Sequence, residues 1–140
     1  MDVSTKNWER VAAEVEIGGL IQRFSEAVDF NRIEDFVACF AEDGVFEMLG
    51  NSWKGHAALR AGMGAAMENF AKELIWRHYF MPPILEFVSD DAAEGRGYCL
   101  LQAFRKEGGL QVPFSVDYKD RYIRTPQGWK LYFRTTGMSF

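Results

Sequence analysis

Residues 74–80 have the sequence Leu74-Ile75-Trp76-Arg77-His78-Tyr79-Phe80. Before this stretch, apolar residues recur at intervals of three and four, which predicts amphipathic helices. From residue 74 onward the interval changes to two, which predicts strands with one buried face. A helical half followed by hairpin-linked strands is typical of an α+β domain, in which the helices pack on one face of a curved sheet.

The sequence before residue 74 predicts three helices and one short strand. The first helix ends near Asn31, a residue that tolerates a left-handed backbone. The second helix is short, the segment Val45–Leu49 is then a strand, and the third helix begins after Gly55. The apolar faces of the three helices are, in order, Ile17, Ile21, Phe24 and Val28; Ile33, Phe36, Val37 and Phe40; and Leu59, Met63, Met67 and Phe70.

Strand segments separated by proline and glycine turns make up the second half. The first runs from Leu74 to Val88 and contains Pro82-Pro83, which must lie at an edge or a bulge. The others, bounded by turn signals at 108–109 and 125–128, are Glu94–Lys106, Leu110–Arg124 and Trp129–Met138. No repeat or linker interrupts the pattern, so we predict a single domain over residues 1–140.

Composition narrows the class of partner. The chain carries 12 Phe, 5 Tyr and 4 Trp, enough aromatic area to build a core and also to line a pocket for a small apolar or aromatic molecule. Its net charge is -4 and no basic stripe is present, which argues against nucleic acid. No apolar run has the length of a membrane span and no signal peptide opens the chain. We therefore expect a cytoplasmic protein.

The cysteines and histidines show no spacing typical of a metal site. Cys39 and Cys99 lie singly among apolar neighbours, which predicts free buried thiols and suits a reducing compartment. His56 and His78 are too far apart in sequence for a helical metal-binding pair. No glycine-rich loop of the phosphate-binding type follows a strand. We expect neither a metal nor a cofactor.

The pair Asp29 and His78 is the candidate for catalysis. Asp29 lies in the last turn of the first helix, where the helix dipole disfavours a carboxylate and a partner would compensate. His78 lies in an aromatic strand, and an imidazole supported by a carboxylate is a general base suited to neutral pH. The alternatives are a solvent-facing acid at a helix end and a histidine that serves only the core.

Alternation places Trp76, His78 and Phe80 on one face of their strand, so the two aromatic rings would form walls beside the imidazole. Arg134, in the last strand, is a candidate for stabilising an enolate or a departing anion. An outward-facing arginine at a dimer surface is the alternative for that residue. Further candidates for substrate contact are Trp53, Tyr98 and Tyr118, although alternation alone leaves the inner face of their strands open and Trp53 also suits the core.

The order of several short motifs resembles the SnoaL-like family of the nuclear-transport-factor-2-like superfamily. No single motif is specific, but together they cover nearly the whole chain. They are Phe24-Ser25-Glu26-Ala27-Val28-Asp29, Phe40-Ala41-Glu42-Asp43-Gly44-Val45-Phe46, Trp53-Lys54-Gly55, His78, Ile84-Leu85-Glu86-Phe87-Val88, Tyr118-Lys119-Asp120-Arg121-Tyr122 and Gly128-Trp129-Lys130-Leu131.

That resemblance implies a cone, in which three N-terminal helices pack on a strongly curved, mixed but mostly antiparallel sheet around a deep apolar pocket. It also implies a homodimer formed through the outer sheet face. Within the family the chain looks nearest to the scytalone dehydratase, bile-acid dehydratase and hexachlorocyclohexane dehydrochlorinase branches. Asp29 and His78 match their acid–histidine pair, and Phe24 stands where many members have a pocket tyrosine.

These observations favour a cofactor-independent lyase or isomerase that removes a proton from a small apolar cyclic substrate. One alternative is a non-catalytic binding module of the same fold, or a subunit resembling the small subunit of aromatic-ring dioxygenases. Another is epoxide hydrolysis by an Asp-Arg-Asp arrangement, which would require Asp117 or Asp120 as a buried acid. Both acids lie in a hydrophilic segment that we expect to face outward.

Overall fold

The computed structural model describes residues 3–109 and 113–138, which form three helices and seven strands. In chain order these are α1 (Val3–Asp29), α2 (Ile33–Ala38), β1 (Phe40–Met48), β2 (Asn51–Lys54), α3 (His56–Glu73), β3 (Leu74–Phe80), β4 (Ile84–Ser89), β5 (Ala92–Arg105), β6 (Phe114–Thr125) and β7 (Gly128–Met138). The predicted change from helix to strand at residue 74 is confirmed. No helix in the described ranges combines the length and the apolar content needed to cross a membrane.

The strands form one sheet in the order β2-β1-β7-β6-β5-β3, with β4 also paired to β5. The pairing of β1 with β7 is parallel, and the other pairings are antiparallel. Register shifts interrupt β1, β4 and the β6–β7 pair, and such bulges bend a sheet. The predicted α+β fold, with helices packed on a curved, mixed but mostly antiparallel sheet, is confirmed.

Several predicted boundaries differ from the structure. The apolar spacing predicts a second helix that includes Phe40, whereas α2 ends at Ala38 and Phe40 is the first residue of β1. The reason is tertiary, since the N–H of Leu131 on β7 donates to the Cys39 carbonyl at 2.9 Å and draws this segment into the sheet. Pro82-Pro83 divides the predicted long strand into β3 and β4. The predicted strand start at Leu110 lies outside the described residues.

The core lies between α1, α3 and the concave face of the sheet. The predicted stripe of α1 is buried at Ile17, Ile21 and Phe24, and Asn31 ends the helix region with a φ of 54°. The ring of Phe24 contacts other aromatic rings at centroid distances of 5.2 to 6.2 Å, namely those of Phe36, Phe40, Phe46 and Phe80. Aromatic pairs at such spacing stabilise a core beyond the area that they bury.

The helix α3 packs closely on β2 because it carries a glycine at the contact. A Cβ atom at Gly62 would overlap the indole of Trp53, so only glycine fits there without displacement of the ring. The same indole stacks on Phe46 at 6.0 Å between centroids. The glycine in the helix is therefore explained by packing, and it brings α3 against the sheet to close one side of the interior.

Candidate active site

An apolar cavity of about 270 Å³ lies between α1, α3 and the inner face of the sheet. A groove beside α1 and the 81–83 segment is larger, at about 400 Å³, but contains no histidine. The wall of the cavity is almost entirely apolar. Its residues are Phe24, Val28, Asp29, Phe46, Met48, Leu49, Met63, Met67, Phe70, Ala71, Leu74, Trp76, His78, Phe80, Cys99, Leu101, Phe114, Val116, Tyr118, Thr136 and Gly137.

Asp29 and His78 meet at the wall of this cavity. The Nδ1 atom of His78 lies 2.5 Å from Oδ1 of Asp29. The backbone N–H of His78 donates to Oδ2 of the same carboxylate at 3.0 Å. One carboxylate thus holds both the backbone and the ring of His78, which restricts the rotation of the imidazole.

This geometry assigns the two ring nitrogens different roles. A carboxylate accepts hydrogen bonds only, so Nδ1 carries the proton in the contact with Asp29. The neutral imidazole then has its lone pair on Nε2, the atom available to a substrate proton. After proton capture the carboxylate stabilises the imidazolium, as the aspartate does in a hydrolase triad. The arrangement is chemically able to act as a general base.

The pair is shielded from water without being sealed from the cavity. The side chains of His78 and Asp29 are 16% and 7% exposed, respectively. The ring of Phe80 lies nearly parallel to the imidazole, with 6.1 Å between centroids and an interplanar angle of 11°. Trp76 lines the cavity on the same strand face. A positive charge that develops on the His78 ring is weakly screened by water at this buried position, so its attraction to the Asp29 carboxylate is stronger than in solvent.

Arg134 belongs to a buried ion pair. Its Nε and Nη2 atoms donate to the two carboxylate oxygens of Asp120 at 2.8 and 2.7 Å, and both side chains are fully buried. The hydroxyl of Tyr122 also donates to Asp120. Burial alone would lower the pKa of the guanidinium, but the adjacent Asp120 outweighs it and raises that pKa above its ordinary value. The arginine is therefore a permanent buried cation.

Aromatic rings separate this cation from the cavity. The guanidinium carbon of Arg134 lies 4.4, 4.8 and 5.1 Å from the ring centroids of Phe24, Tyr118 and Phe80. Those three rings line the cavity, whereas Arg134 does not. Direct contact between Arg134 and a reacting group is therefore not supported. The alternative, an outward-facing arginine, is wrong because the residue is buried.

Two expectations for the acids of β6 differ in outcome. Asp117 is exposed, as expected, but Asp120 is 4% exposed and faces inward. The expectation of an outward Asp120 is wrong because β6–β7 pairing sets it opposite Arg134, which neutralises its charge. Neither acid lines the cavity, so the Asp-Arg-Asp arrangement required for epoxide hydrolysis is not assembled around it.

The tyrosine candidates divide between the two faces of the sheet. The ring of Tyr118 lines the cavity, but its hydroxyl donates to the Met81 carbonyl at 3.0 Å. Burial raises the pKa of this hydroxyl to about 12, so it remains a neutral donor. Tyr98 is 59% exposed on the outer face, because its neighbour Cys99 takes the inner position. The prediction that Tyr98 lines the pocket is wrong.

Trp53 is also absent from the cavity wall. Its indole packs against the Phe46 ring and against Gly62 of α3. Trp53 is therefore a core-packing residue, which is the alternative that the sequence left open. Phe24, Trp76 and Phe80 do line the cavity. The structure thus brings together Asp29 and His78 with three of the aromatic candidates, while Tyr118 contributes its ring only.

Several wall residues were not singled out from sequence. Met63, Met67 and Phe70 line the cavity from α3, whereas their helical spacing by itself predicts only an apolar face that packs in the core. Cys99 lines the sheet side, and burial raises the pKa of its thiol to about 12, which leaves the thiol protonated and unreactive at neutral pH. No group of three or more His, Cys, Asp or Glu side chains suited to a metal ion occurs within residues 3–109 and 113–138.

The profile of the SnoaL-like domain matches residues 9–135. The chain belongs to the SnoaL-like family. This match includes both members of the Asp29–His78 pair and at least part of every element from α1 to β7. The predicted family relationship is therefore confirmed, and with it the nuclear-transport-factor-2-like, cystatin-like fold. No protein with a curated description matches the chain.

Solved structures similar to this SnoaL-like protein include several from the dehydratase and dehydrochlorinase branches. A candidate aromatic ring hydroxylase from Novosphingobium aromaticivorans is 26% identical, with a TM-score of 0.78 and coverage of 93% of this chain and 91% of the other. A candidate scytalone dehydratase from the same organism is 18% identical, with a TM-score of 0.82 and coverage of 96% and 89%. The type 2 hexachlorocyclohexane dehydrochlorinase LinA is 22% identical, with a TM-score of 0.80 and coverage of 96% and 90%.

Proposed function

We propose that this SnoaL-like protein is a lyase or isomerase of the dehydratase type, with His78 as general base and Asp29 as its supporting acid. The observation that carries the proposal is the 2.5 Å contact between Nδ1 of His78 and Asp29 at the wall of an apolar cavity. The dehydratase and dehydrochlorinase names among its structural neighbours support the same reaction class. No metal or cofactor is required for the step.

The proposed reaction begins with removal of a proton from a substrate carbon by Nε2 of His78. The C–H bond breaks, the new N–H bond forms, and the electron pair remains on the substrate. In a lyase that pair forms a carbon–carbon double bond while the bond between the neighbouring carbon and the leaving group breaks. The leaving group keeps the electron pair of that bond, and the proton on Nε2 passes to it or to solvent. In an isomerase the pair enters a conjugated carbonyl as an enolate, and the His78 proton returns to another carbon.

The cavity favours a largely apolar substrate of one or two rings. Its volume of about 270 Å³ lies near the lower end of the range common for small-ligand sites. Asp29 and His78 provide the proposed acid–base pair of the wall, since Cys99 stays protonated and the Tyr118 hydroxyl donates to a backbone carbonyl. A charged group on the substrate that does not contact Asp29 or His78 would therefore be buried without a partner, and the loss of its hydration would weaken binding.

Proton exchange in heavy water tests the base directly without knowledge of the natural substrate. β-Tetralone is a suitable probe because it has two rings and an acidic benzylic C–H beside its carbonyl. We expect the protein to accelerate deuterium uptake at that carbon above the buffer rate, as followed by proton NMR. In the His78→Ala variant the catalysed exchange rate should be at least about a hundredfold lower than in the wild type. His56→Gln, a change of the histidine outside the cavity, is the matched control.

A protein that binds β-tetralone but exchanges no proton faster than buffer would disprove the base and support the non-catalytic alternative, a small-ligand-binding module. Equal exchange by wild type and His78→Ala would also contradict the proposal. Co-purification with a larger chain would instead favour a role like that of a dioxygenase small subunit.

We extend the proposal to assembly and location. The outer face of β3 and β5 exposes Ile75, Tyr79, Tyr98 and Leu100, each at least 37% accessible. Such a patch suits a second copy of the chain, in keeping with a homodimer. Two buried free thiols suit the reducing cytoplasm. Sedimentation should show a dimer, and Tyr79→Lys combined with Leu100→Lys should yield a monomer.

A further inference from the structure

We propose that the indole N–H of Trp76 donates a hydrogen bond to the substrate, so that the substrate class is a ring compound with an acceptor atom near the acidic C–H. This inference rests on the proposed function and makes it more specific. Trp76 lines the cavity beside His78. Its Nε1 atom is buried and has no hydrogen-bond partner among the described residues.

A buried indole N–H ordinarily has a partner. Tryptophan is placed so that this donor reaches an acceptor, and each exception in a native protein requires an explanation. Within residues 3–109 and 113–138, no group accepts a hydrogen bond from the Trp76 N–H. Because the Trp76 side chain lines a ligand-sized cavity, a ligand that supplies the acceptor would explain this unsatisfied donor.

The neighbouring wall does not supply that acceptor. The Phe70 ring and the Trp76 indole are in a T-shaped arrangement with 5.5 Å between centroids, and the Phe70 side chain has no oxygen to offer. Asp29 and the Tyr118 hydroxyl belong to the same cavity wall, but neither accepts a hydrogen bond from this N–H. The acceptor is therefore expected to enter with the substrate.

The spacing along β3 sets the relation between acceptor and reacting carbon. Trp76 and His78 are two residues apart on the same strand face, which separates their Cα atoms by roughly 7 Å. A substrate that spans both groups presents one carbon to Nε2 of His78 and an oxygen or halogen atom to Trp76. A hydroxyl, carbonyl or halide on or beside a ring meets this requirement, whereas a plain hydrocarbon does not.

Binding of an isosteric pair of probes isolates this hydrogen bond. β-Tetralone and tetralin share their ring skeleton, but only the ketone carries an acceptor. We expect the wild-type protein to bind the ketone at least about tenfold more tightly by calorimetry, and Trp76→Phe to reduce that ratio to near one. The control is Trp8→Phe, because Trp8 is 72% exposed on α1 and absent from the cavity wall.

Indole resonances provide a readout that does not depend on variant stability. The four tryptophans give four Nε1–H signals in ¹⁵N-labelled protein, and the signal lost in Trp76→Phe identifies residue 76. We expect this signal to move downfield with β-tetralone and to move much less with tetralin. The same measurements on His78→Ala should retain the ketone preference, because binding needs no proton transfer.

The outcomes separate this inference from the proposed function. Absence of a ketone preference in the wild type, or an unchanged preference in Trp76→Phe, would overturn the role of Trp76 even if His78 catalyses exchange. The role of Trp76 would also be overturned if its indole signal did not shift on addition of the ketone but did shift in the ligand-free Phe70→Leu variant. That result would mean that the N–H points at the Phe70 ring. If neither the wild type nor any variant accelerates deuterium exchange but the wild type still prefers the ketone, only the catalytic proposal is contradicted.

Discussion

Asp29 accepts two hydrogen bonds from His78, one from the imidazole and one from the backbone of the same residue. The last residue of α1 is thereby tied to the middle of β3, so the ring is positioned by two elements of the fold. A carboxylate at a helix C-terminus faces an unfavourable dipole, and the two donors of His78 offset that cost. The contact serves structure and chemistry at once.

The first prediction separates these two roles. Asp29→Asn keeps the shape of the side chain, but its amide group can present a donor to Nδ1 and favour the wrong tautomer. We expect β-tetralone exchange to fall by about a thousandfold or more, as for the aspartate of a hydrolase triad, while the protein remains folded. NMR exchange rates and circular dichroism measure the two effects. Asp43→Asn, a change of an exposed acid, is the control, and an equal loss there would refute the assignment.

The second prediction concerns the buried pair behind the aromatic wall. Arg134→Met leaves the Asp120 carboxylate buried without its cation, and such a loss costs about 3–5 kcal/mol in the free energy of unfolding. Replacing both residues, as Arg134→Met with Asp120→Leu, should recover much of that stability. Urea denaturation measures each variant. Arg60→Met, which breaks the exposed pair with Glu34, should leave stability nearly unchanged.

If Arg134→Met instead left the unfolding free energy intact and abolished exchange, the ion pair would be a catalytic device rather than a structural one. A double variant less stable than the single variant would likewise contradict the pairing argument.

Much of the site follows from local sequence, because alternation and helix length are local properties. The pattern of residues 74–80 is enough to group Trp76 with His78 and Phe80, and the apolar stripe of α1 predicts that Asp29 ends that helix. The inward position of Asp120 could not be predicted, since it depends on a register in which Asp120 lies opposite Arg134. Both residues look like surface residues until that pairing is known.

The sequence also leaves open which of the two alternating sets of residues in a strand faces the interior. Tyr98 lies between Gly97 and Cys99, two small residues that fit either face of a sheet, so nothing local states whether this tyrosine faces inward. The structure resolves it through close contacts, because Gly97 makes room for the hydroxyl end of Tyr118 on the inner face. A tyrosine that faces a glycine on the neighbouring strand is a signal that a sequence analysis could use.

The third prediction tests the packing of α3. In Gly62→Ala the new methyl group overlaps the Trp53 indole, and overpacking of this kind costs about 1–3 kcal/mol. Gly18→Ala in α1 is the matched control, because a Cβ atom there meets nothing within 4 Å and alanine favours a helix by about 1 kcal/mol. Thermal unfolding should show opposite shifts. A stabilised Gly62→Ala protein would show that α3 does not press against β2.

The fourth prediction concerns stability in alkali. Burial raises the pKa of Cys39 from 9.0 to about 11 and that of Cys99 from 9.0 to about 12. Both thiols stay protonated in the folded chain above pH 9, while the unfolded chain loses those protons. Their contribution is thus complete below pH 9 and declines as the pH rises toward 11 or 12.

Between pH 9 and 10 each thiol should reduce the free energy of unfolding by about 1 kcal/mol, since one pKa unit corresponds to about 1.4 kcal/mol. Cys99→Ala removes the contribution of one thiol. The free energy of unfolding of this variant should therefore decline less steeply than that of the wild type between pH 9 and 10, whatever its value at pH 8. Urea titrations at pH 8, 9 and 10 in the presence of a reductant measure the slopes. Parallel declines in the two proteins would mean that the Cys99 thiol ionises equally readily in the folded and unfolded chains, which burial at the cavity wall does not allow.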